Sequence, residues 1–174
     1  MSEPDNISDA IQASLTNFTR QFEEVSSDQF NEMRKCSFFD PVPSDCLARV
    51  AMESELKTLG PGEAITREGD PMKAFHVMMY GTATAYVDNM EVGTIHSGEC
   101  IGEGAFFSNE GVSRSATVIT DSDAIVLEIR KSAVDRMDGE VKTYMDKALL
   151  LALFRKLQAA NKKIESLLQG RSLS

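Results

Sequence analysis

The glycine spacing between Leu59 and Leu127 is the feature that most constrains the fold. Segments in this region are short and rich in β-branched or apolar residues. Glycines separate them, at Gly62, Gly69, Gly81, Gly93, Gly98 and Gly102. Glycine adopts the positive φ that tight turns between strands require. Short strands with closely spaced turn residues predict a small all-β barrel or jelly roll, mainly β with flanking helices.

A metal-dependent cupin is the main alternative with such a barrel. Its site needs several histidines and a carboxylate, but this chain has only His76 and His96, neither with a partner at ligand spacing. We expect both to be surface or rim histidines. Ser113, Ser115 and Cys100 also lack a neighbouring histidine base. The sequence therefore predicts neither a metal site nor a catalytic site, and we expect the chain not to be an enzyme.

The last of these glycines opens a stretch that combines small residues with two opposite charges. Gly102, Gly104 and Ala105 leave the backbone bare, so that consecutive N–H groups can converge on an anion. Glu103 is an acceptor that suits a sugar hydroxyl, and Arg114 carries a fork of donors that suits phosphate oxygens. An isolated Glu and Arg would more simply form a weak surface ion pair. The small residues around them favour a ligand site instead.

The same stretch resembles the phosphate-binding cassette of the cyclic nucleotide-binding domain family. The family pattern is roughly Phe-Gly-Glu-Leu-Ala-Leu, a variable piece, and then Pro-Arg-Ala-Ala-Thr. The matching residues are Gly102, Glu103, Ala105, Arg114, Ala116 and Thr117, while Ile101, Gly104 and Ser113 depart from the pattern. The spacer between Glu103 and Arg114 is also slightly longer than is usual. A longer spacer bears on affinity more than on fold.

Further motifs extend the resemblance from about Phe39 to Arg155. The turn signatures Pro61-Gly62-Glu63 and Glu68-Gly69-Asp70 are similar to those of the family. Upstream, two prolines interrupt the chain, Ser44 is a candidate helix cap, and a helix is expected over residues 45–56. Residues 120–123 are predicted to form a hairpin turn between the last two strands.

The resemblance implies a role for each residue of the cassette. Glu103 would bind the ribose 2′-hydroxyl, and Arg114 would pair with the cyclic phosphate. Backbone N–H groups near Gly102, Ala105 and Ala116 would complete the anion site, with Gly104 beside them. Ser115 could contact either a guanine amine or the phosphate, so cAMP and cGMP both stay open; family frequency favours cAMP. The candidate lid contacts over the base are Tyr144, Leu149 and Arg155.

Helical patterns flank the barrel, which we place at residues 36–138. Residues 1–35 form an N-terminal helical extension whose apolar stripe is Ile7, Ile11, Leu15, Phe18, Phe22 and Val25. This helix either packs on its own domain or docks a partner. Residues 139–174 form a lid helix. Apolar residues in this helix have the three-four spacing of a short coiled coil. The predicted seam is Leu150, Leu153, Leu157, Ala160, Ile164 and Leu167. The first half of the helix could equally pack on the barrel.

The net charge of −9 disfavours a nucleic-acid surface, which needs a basic face. Three cysteines without metal spacing, and no signal peptide, predict free thiols in the cytoplasm. No apolar run is long enough for membrane insertion. The expected partners are a cyclic nucleotide, an unidentified effector protein, and a second copy of the chain through the C-terminal helix.

Two functional hypotheses follow from the sequence. In the first, the chain is a sensor that binds cAMP or cGMP and transmits a lid-helix movement to a partner or second protomer. In the second, it is an interaction or assembly subunit that keeps the barrel but has lost nucleotide binding. A binding titration that compares the wild type with Arg114→Ala distinguishes them.

Overall fold

Two four-stranded antiparallel sheets build the barrel in this computed structural model, which describes residues 27–107 and 113–171. The predicted N-terminal stripe from Ile7 to Val25 lies outside the described residues. The strands are β1 Ser54–Leu59, β2 Ala64–Thr66, β3 Ala74–Tyr80, β4 Thr82–Val87, β5 Met90–His96, β6 Cys100–Ile101, β7 Thr117–Thr120 and β8 Ala124–Arg130. The first sheet has the order β1-β8-β3-β6 and the second has the order β2-β7-β4-β5. The mainly β class predicted from the glycine spacing is confirmed.

The alternation of side chains along β3 explains why the protein has two apolar cores. Phe75 and Val77 point to the outer face of the first sheet, where they pack against the helices. Met78 belongs to the core between the two sheets, together with Ile95 and Val118 of the second sheet. Because side chains alternate along a strand, one strand can supply both cores.

In the described ranges, five helices and one 3-10 turn pack around the outer core. They are α1 at residues 27–35, the 3-10 turn Ser37–Phe39, α2 Ser44–Met52, α3 Gly104–Phe107, α4 Lys131–Arg136 and α5 Gly139–Arg171. Phe38 and Phe39 are buried and meet edge to face, with their ring centroids 4.9 Å apart. Among the described residues, no helix has the length and apolarity that crossing a membrane requires.

The helix predicted over residues 45–56 is shorter in the structure. It ends at Met52, and Leu56 lies in β1, where it pairs with Leu127 of β8. Ser44 is the first residue of this helix rather than its cap, and Pro43 holds the capping position without a side-chain hydrogen bond. Pairing of the whole of β1 with β8 outweighs the helical spacing of the apolar residues.

Two further local predictions are wrong. Residues 120–123 do not close a hairpin, because β7 pairs with β2 and β4 whereas β8 pairs with β1 and β3. The segment is a corner between the two sheets. His76 is not a rim residue either, since it is only 5% exposed on β3.

The long helix α5 has two distinct halves. Its first half packs Val141, Met145 and Leu149 against the outer core. Beyond Ala152 most of the side chains are exposed. A helix of 33 residues is about 50 Å long at 1.5 Å per residue, so that its second half extends well past the packed region.

Candidate functional site

Gly102 makes the turn that opens the cassette. Its φ is +73°, a conformation that side-chain-bearing residues rarely adopt. The short helix α3 begins two residues later, and Phe106 N–H donates to Glu103 O at 3.0 Å. A Cβ on Gly102 would collide with Arg114 Nη1 and lie 3.1 Å from its Cζ. The glycine is therefore required by both the turn and the arginine beside it.

The backbone of Arg114 is fixed by the neighbouring turn at Gly69 and Asp70. Arg114 N–H donates to Asp70 O at 2.8 Å, and Gly69 N–H donates to Arg114 O at 2.9 Å. A β-bridge between Pro71 and Ser113 adjoins these bonds. Hydrogen bonds thus join the Glu-Gly-Asp turn to the arginine, although the two are over 40 residues apart in sequence.

The Arg114 side chain is buried without full hydrogen bonding. It is 8% exposed, and within the described part of the chain its Nη1 has no hydrogen-bond partner. Burial lowers the pKa of the guanidinium, while the charges of Glu128 and Asp70 oppose that shift. A buried donor without an acceptor is costly, so that an anion at this position would be favoured.

Glu103 faces the C-terminal helix. Its Oε1 accepts a hydrogen bond from Lys156 Nζ at 2.8 Å, and the same ammonium donates to Cys100 O at 2.6 Å. The Glu103 side chain is 18% exposed and that of Lys156 is 34% exposed. The predicted sugar-binding carboxylate is therefore already tied to α5.

The rest of the predicted cassette surrounds these two charged residues. Ala116 is half-buried, and its carbonyl accepts a bond from Thr66 Oγ1 at 3.2 Å. Ser115 is exposed, Gly104 begins α3, and Ala105 follows it in that helix. The structure thus brings the matching segments together around Gly102.

Two phenylalanines of α3 could have filled the site, but the ring of Phe106 is directed elsewhere. It meets Phe75 edge to face at 5.9 Å, on the outer core. Phe107 is exposed and contacts Phe106. Residues 108–112 of the spacer lie outside the described residues.

The three candidate lid residues do not share one environment. Leu149 is fully buried in the outer core, and Tyr144 packs against the same core. Arg155 lines a cavity of about 120 Å³ with Ser37, Glu99 and Lys156. In this arrangement, Leu149 and Tyr144 pack α5 on the barrel, and Arg155 shares its cavity with Lys156.

Lys156 was missed by sequence reasoning, although a signal for it exists. The buried face of α5 runs through Met145, Leu149 and Ala152, and the next position on that face is Lys156. A lysine that continues an apolar stripe indicates a buried acceptor for its ammonium.

His76 was also misjudged, because its burial depends on strands distant in sequence. Its Nε2 lies 3.3 Å from Glu128 Oε2, and Nδ1 has no hydrogen-bond partner within the described residues. Burial and the charge of Arg114 lower the pKa of His76 to about 4, despite the opposing effect of Glu128. Burial alone would raise the pKa of Glu128, but hydrogen bonds from Lys57 and Arg130 hold it at about 2.

One group in the described part of the chain has ligand atoms close enough for a metal ion. It consists of Asp45, Cys46 and Glu140, whose atoms lie within 4.8 Å of one another. Burial raises the pKa of the Cys46 thiol, which disfavours the thiolate that a metal would need. The group lies where α2 meets α5, outside the cassette.

Comparison with known proteins relates the barrel to a described family. Residues 56–138 match the family model described as the cyclic nucleotide-binding domain. A cGMP-dependent protein kinase of Eimeria tenella is 25% identical over 138 residues, which are 77% of this chain and 14% of the kinase. A cAMP-dependent protein kinase regulatory subunit of Hypocrea atroviridis is 30% identical over 95 residues, which are 55% of this chain and 20% of the subunit. The chain thus spans a fifth or less of the length of these relatives.

A solved structure shares the fold. The regulatory domain of Toxoplasma gondii PKA, co-crystallised with cAMP, superposes with a TM-score of 0.61 at 22% identity. The superposition covers 72% of this chain and 49% of that one. The match to the family model over residues 56–138 and the shared fold show that this part of the chain is similar to cyclic nucleotide-binding domains.

Proposed function

We propose that this chain is a non-catalytic sensor that binds cAMP or cGMP in the cassette and reports the binding through α5. The observation that carries the proposal is the Arg114 guanidinium, which is buried against bare Gly102 and has an Nη1 without a partner among the described residues. A cyclic phosphate would supply the missing acceptor and the opposite charge.

Each cassette residue has a role in this proposal. Arg114 pairs with the cyclic phosphate, and Glu103 accepts a bond from the ribose 2′-hydroxyl. Backbone N–H groups at Gly102, Ala105 and Ala116 donate to the phosphate oxygens, where small side chains allow a ligand to approach. Gly104 and Ser115 line the same segment. The exposed hydroxyl of Ser115 suits a contact with either base or phosphate, so that both nucleotides remain candidates.

The readout of binding in this proposal is the position of α5. The first half of this helix packs on the outer core, and Lys156 joins it to the cassette. A ligand shifts such an equilibrium only if it binds one position of the helix more tightly than the other. The effector that senses the movement would be a protein, since the acidic chain disfavours nucleic acid.

A second copy of the chain is the proposed partner of the distal half of α5. Phe154, Leu157, Asn161 and Ile164 recur at three-four spacing, and the three apolar members are 54%, 58% and 54% exposed. Leu153, from the seam predicted by sequence, is less exposed, so we place the seam through Phe154. An asparagine in such a seam favours a two-stranded parallel pair in one register.

The dimer is tested by sedimentation equilibrium with and without nucleotide. Leu157→Glu places a charge in the seam and should shift the chain toward monomer. Gln158→Glu adds the same charge beside the seam and should change the association much less. Equal behaviour of the two variants would contradict the proposed seam.

Isothermal titration calorimetry with cAMP and cGMP in parallel tests nucleotide binding. Loss of a charge-assisted bond costs roughly 1.5–3 kcal/mol, so Arg114→Ala should weaken binding by about 10- to 150-fold. Arg49→Ala, an exposed arginine on α2, is the matched control and should bind like the wild type. If millimolar nucleotide gives no heat with the wild type, the sensor function is refuted.

An assembly subunit that does not take nucleotide is the alternative. The ion pair between Glu103 and Lys156 is consistent with this alternative, because the carboxylate already has a hydrogen-bond donor within the chain and does not require a sugar. It predicts dimerisation or partner docking that ignores cyclic nucleotides and survives Arg114→Ala. Calorimetry on the same samples that are used for sedimentation distinguishes the two functions, since only the sensor binds nucleotide.

A further inference from the structure

We propose that Lys156 of α5 is a positioning residue of the nucleotide site, which holds Glu103 ready for the ribose 2′-hydroxyl. The inference rests on the proposed function and adds to it a residue from outside the cassette. Lys156 lies more than 50 residues after Glu103 in the chain, and only the docking of α5 brings them together.

The ammonium of Lys156 is fixed by two acceptors. Its Nζ donates to Cys100 O at 2.6 Å and to Glu103 Oε1 at 2.8 Å. Cys100 is the first residue of β6 and is fully buried, so that its carbonyl belongs to the rigid sheet. Lys156 therefore ties the Glu103 carboxylate to the sheet. A mobile counter-ion would neutralise the carboxylate but would not hold it in this position.

One oxygen of Glu103 is left for a ligand. Lys156 occupies Oε1, and no described residue bonds to Oε2. A carboxylate offers about four lone-pair positions, so a hydroxyl donor can bind Oε2 while the lysine stays in place. The ammonium does not need to leave when the sugar arrives.

The charge of Lys156 also suits an anionic ligand. A bare carboxylate beside a cyclic phosphate would repel it, whereas a paired carboxylate presents little net charge. Both side chains are mostly withdrawn from water, at 18% and 34% exposure, so solvent screens the pair only in part. Lys156 thus allows one site to hold an acceptor for the sugar and an arginine for the phosphate.

The same contact couples binding to α5. A ligand that needs Glu103 in its paired position favours the docked helix, and by linkage the docked helix favours the ligand to the same extent. Lys156 on α5 bonds to the side chain of Glu103 in the cassette. Loss of this residue should therefore weaken both the effect of ligand on helix docking and the effect of docking on ligand affinity.

The test compares a nucleotide with its 2′-deoxy analogue, using whichever of cAMP and cGMP binds more tightly. Lys156→Met keeps the stem and removes the charge. It should weaken binding of the ribose form by about tenfold, and binding of the 2′-deoxy form much less, because the latter makes no bond to Glu103. Lys156→Arg keeps a cation and should restore most of the preference for ribose. Lys162→Met, an exposed lysine on the same helix, is the matched control and should leave it unchanged.

Three outcomes would overturn the inference. The preference for ribose could be unchanged in Lys156→Met, which would mean that the lysine does not act through Glu103. Binding of both forms could instead tighten, which would show that Lys156 competes with the sugar. Finally, if the wild type binds neither form, the proposed function itself fails and the inference falls with it, a result distinct from the other two.

Discussion

Replacement of Arg114 by Met should stabilise the ligand-free protein and abolish its stabilisation by nucleotide. Arg114 is 8% exposed, and its Nη1 has no partner within the described residues. An unsatisfied buried donor costs about 1–3 kcal/mol, and attraction from Glu128 and Asp70 offsets part of that cost. Methionine has a similar unbranched stem and no charge. We therefore expect Arg114→Met to raise the free energy of unfolding by about 1 kcal/mol without nucleotide.

With nucleotide bound, the wild type should instead be more stable than Arg114→Met. A ligand at 100 times its dissociation constant stabilises the native state by about 2.7 kcal/mol, and this gain should appear in the wild type only. The assay is urea unfolding followed by circular dichroism, with and without saturating cAMP or cGMP. Arg49→Met is the matched control: it loses a surface pair with Asp138 and should keep the full ligand-induced gain.

Two results would refute the reasoning. If ligand-free Arg114→Met is less stable than the wild type by more than about 1 kcal/mol, the arginine is a structural group with partners that outweigh its burial. If nucleotide stabilises Arg114→Met as much as the wild type, the phosphate does not bind at this guanidinium.

Three further predictions follow from the described contacts. Gly102→Ala should destabilise the fold by about 1–2 kcal/mol, because alanine is disfavoured at the positive φ of this position. The loss should be larger in the wild type than in Arg114→Ala, since the added Cβ meets the guanidinium. A double-mutant cycle that shows no coupling between the two positions would contradict this prediction. His76 takes a proton near pH 6.5 when unfolded and about 4 when folded, so the free energy of unfolding should fall by up to about 3 kcal/mol as pH drops across this window. His76→Gln should flatten that part of the urea-unfolding profile, whereas exposed His96→Gln should not. Burial raises the pKa of Cys100 to about 12, so its thiol should resist Ellman's reagent at pH 8 until urea unfolds the chain; rapid labelling of the native protein would disprove this.

Local sequence determined the barrel class and the composition of the cassette. Gly69, Gly81 and Gly102 take positive φ values that few other residues adopt, so their positions along the chain already indicate the turns. The pattern of small residues around Glu103 and Arg114 likewise lies within one short stretch. Both signals depend on backbone sterics at single positions, and no distant contact is needed to recognise them.

Only the tertiary structure decided which side chains the barrel buries and which it brings to the site. Leu56 belongs to a strand because β8 pairs with it, and His76 is buried where β3 lies beside Glu128 of β8 and near Arg114. Lys156 reaches Glu103 because α5 docks against the outer core, more than 50 residues from the cassette. Each of these outcomes depends on pairing and packing between segments that are far apart in sequence. The free energy of such contacts cannot be predicted from a local sequence pattern.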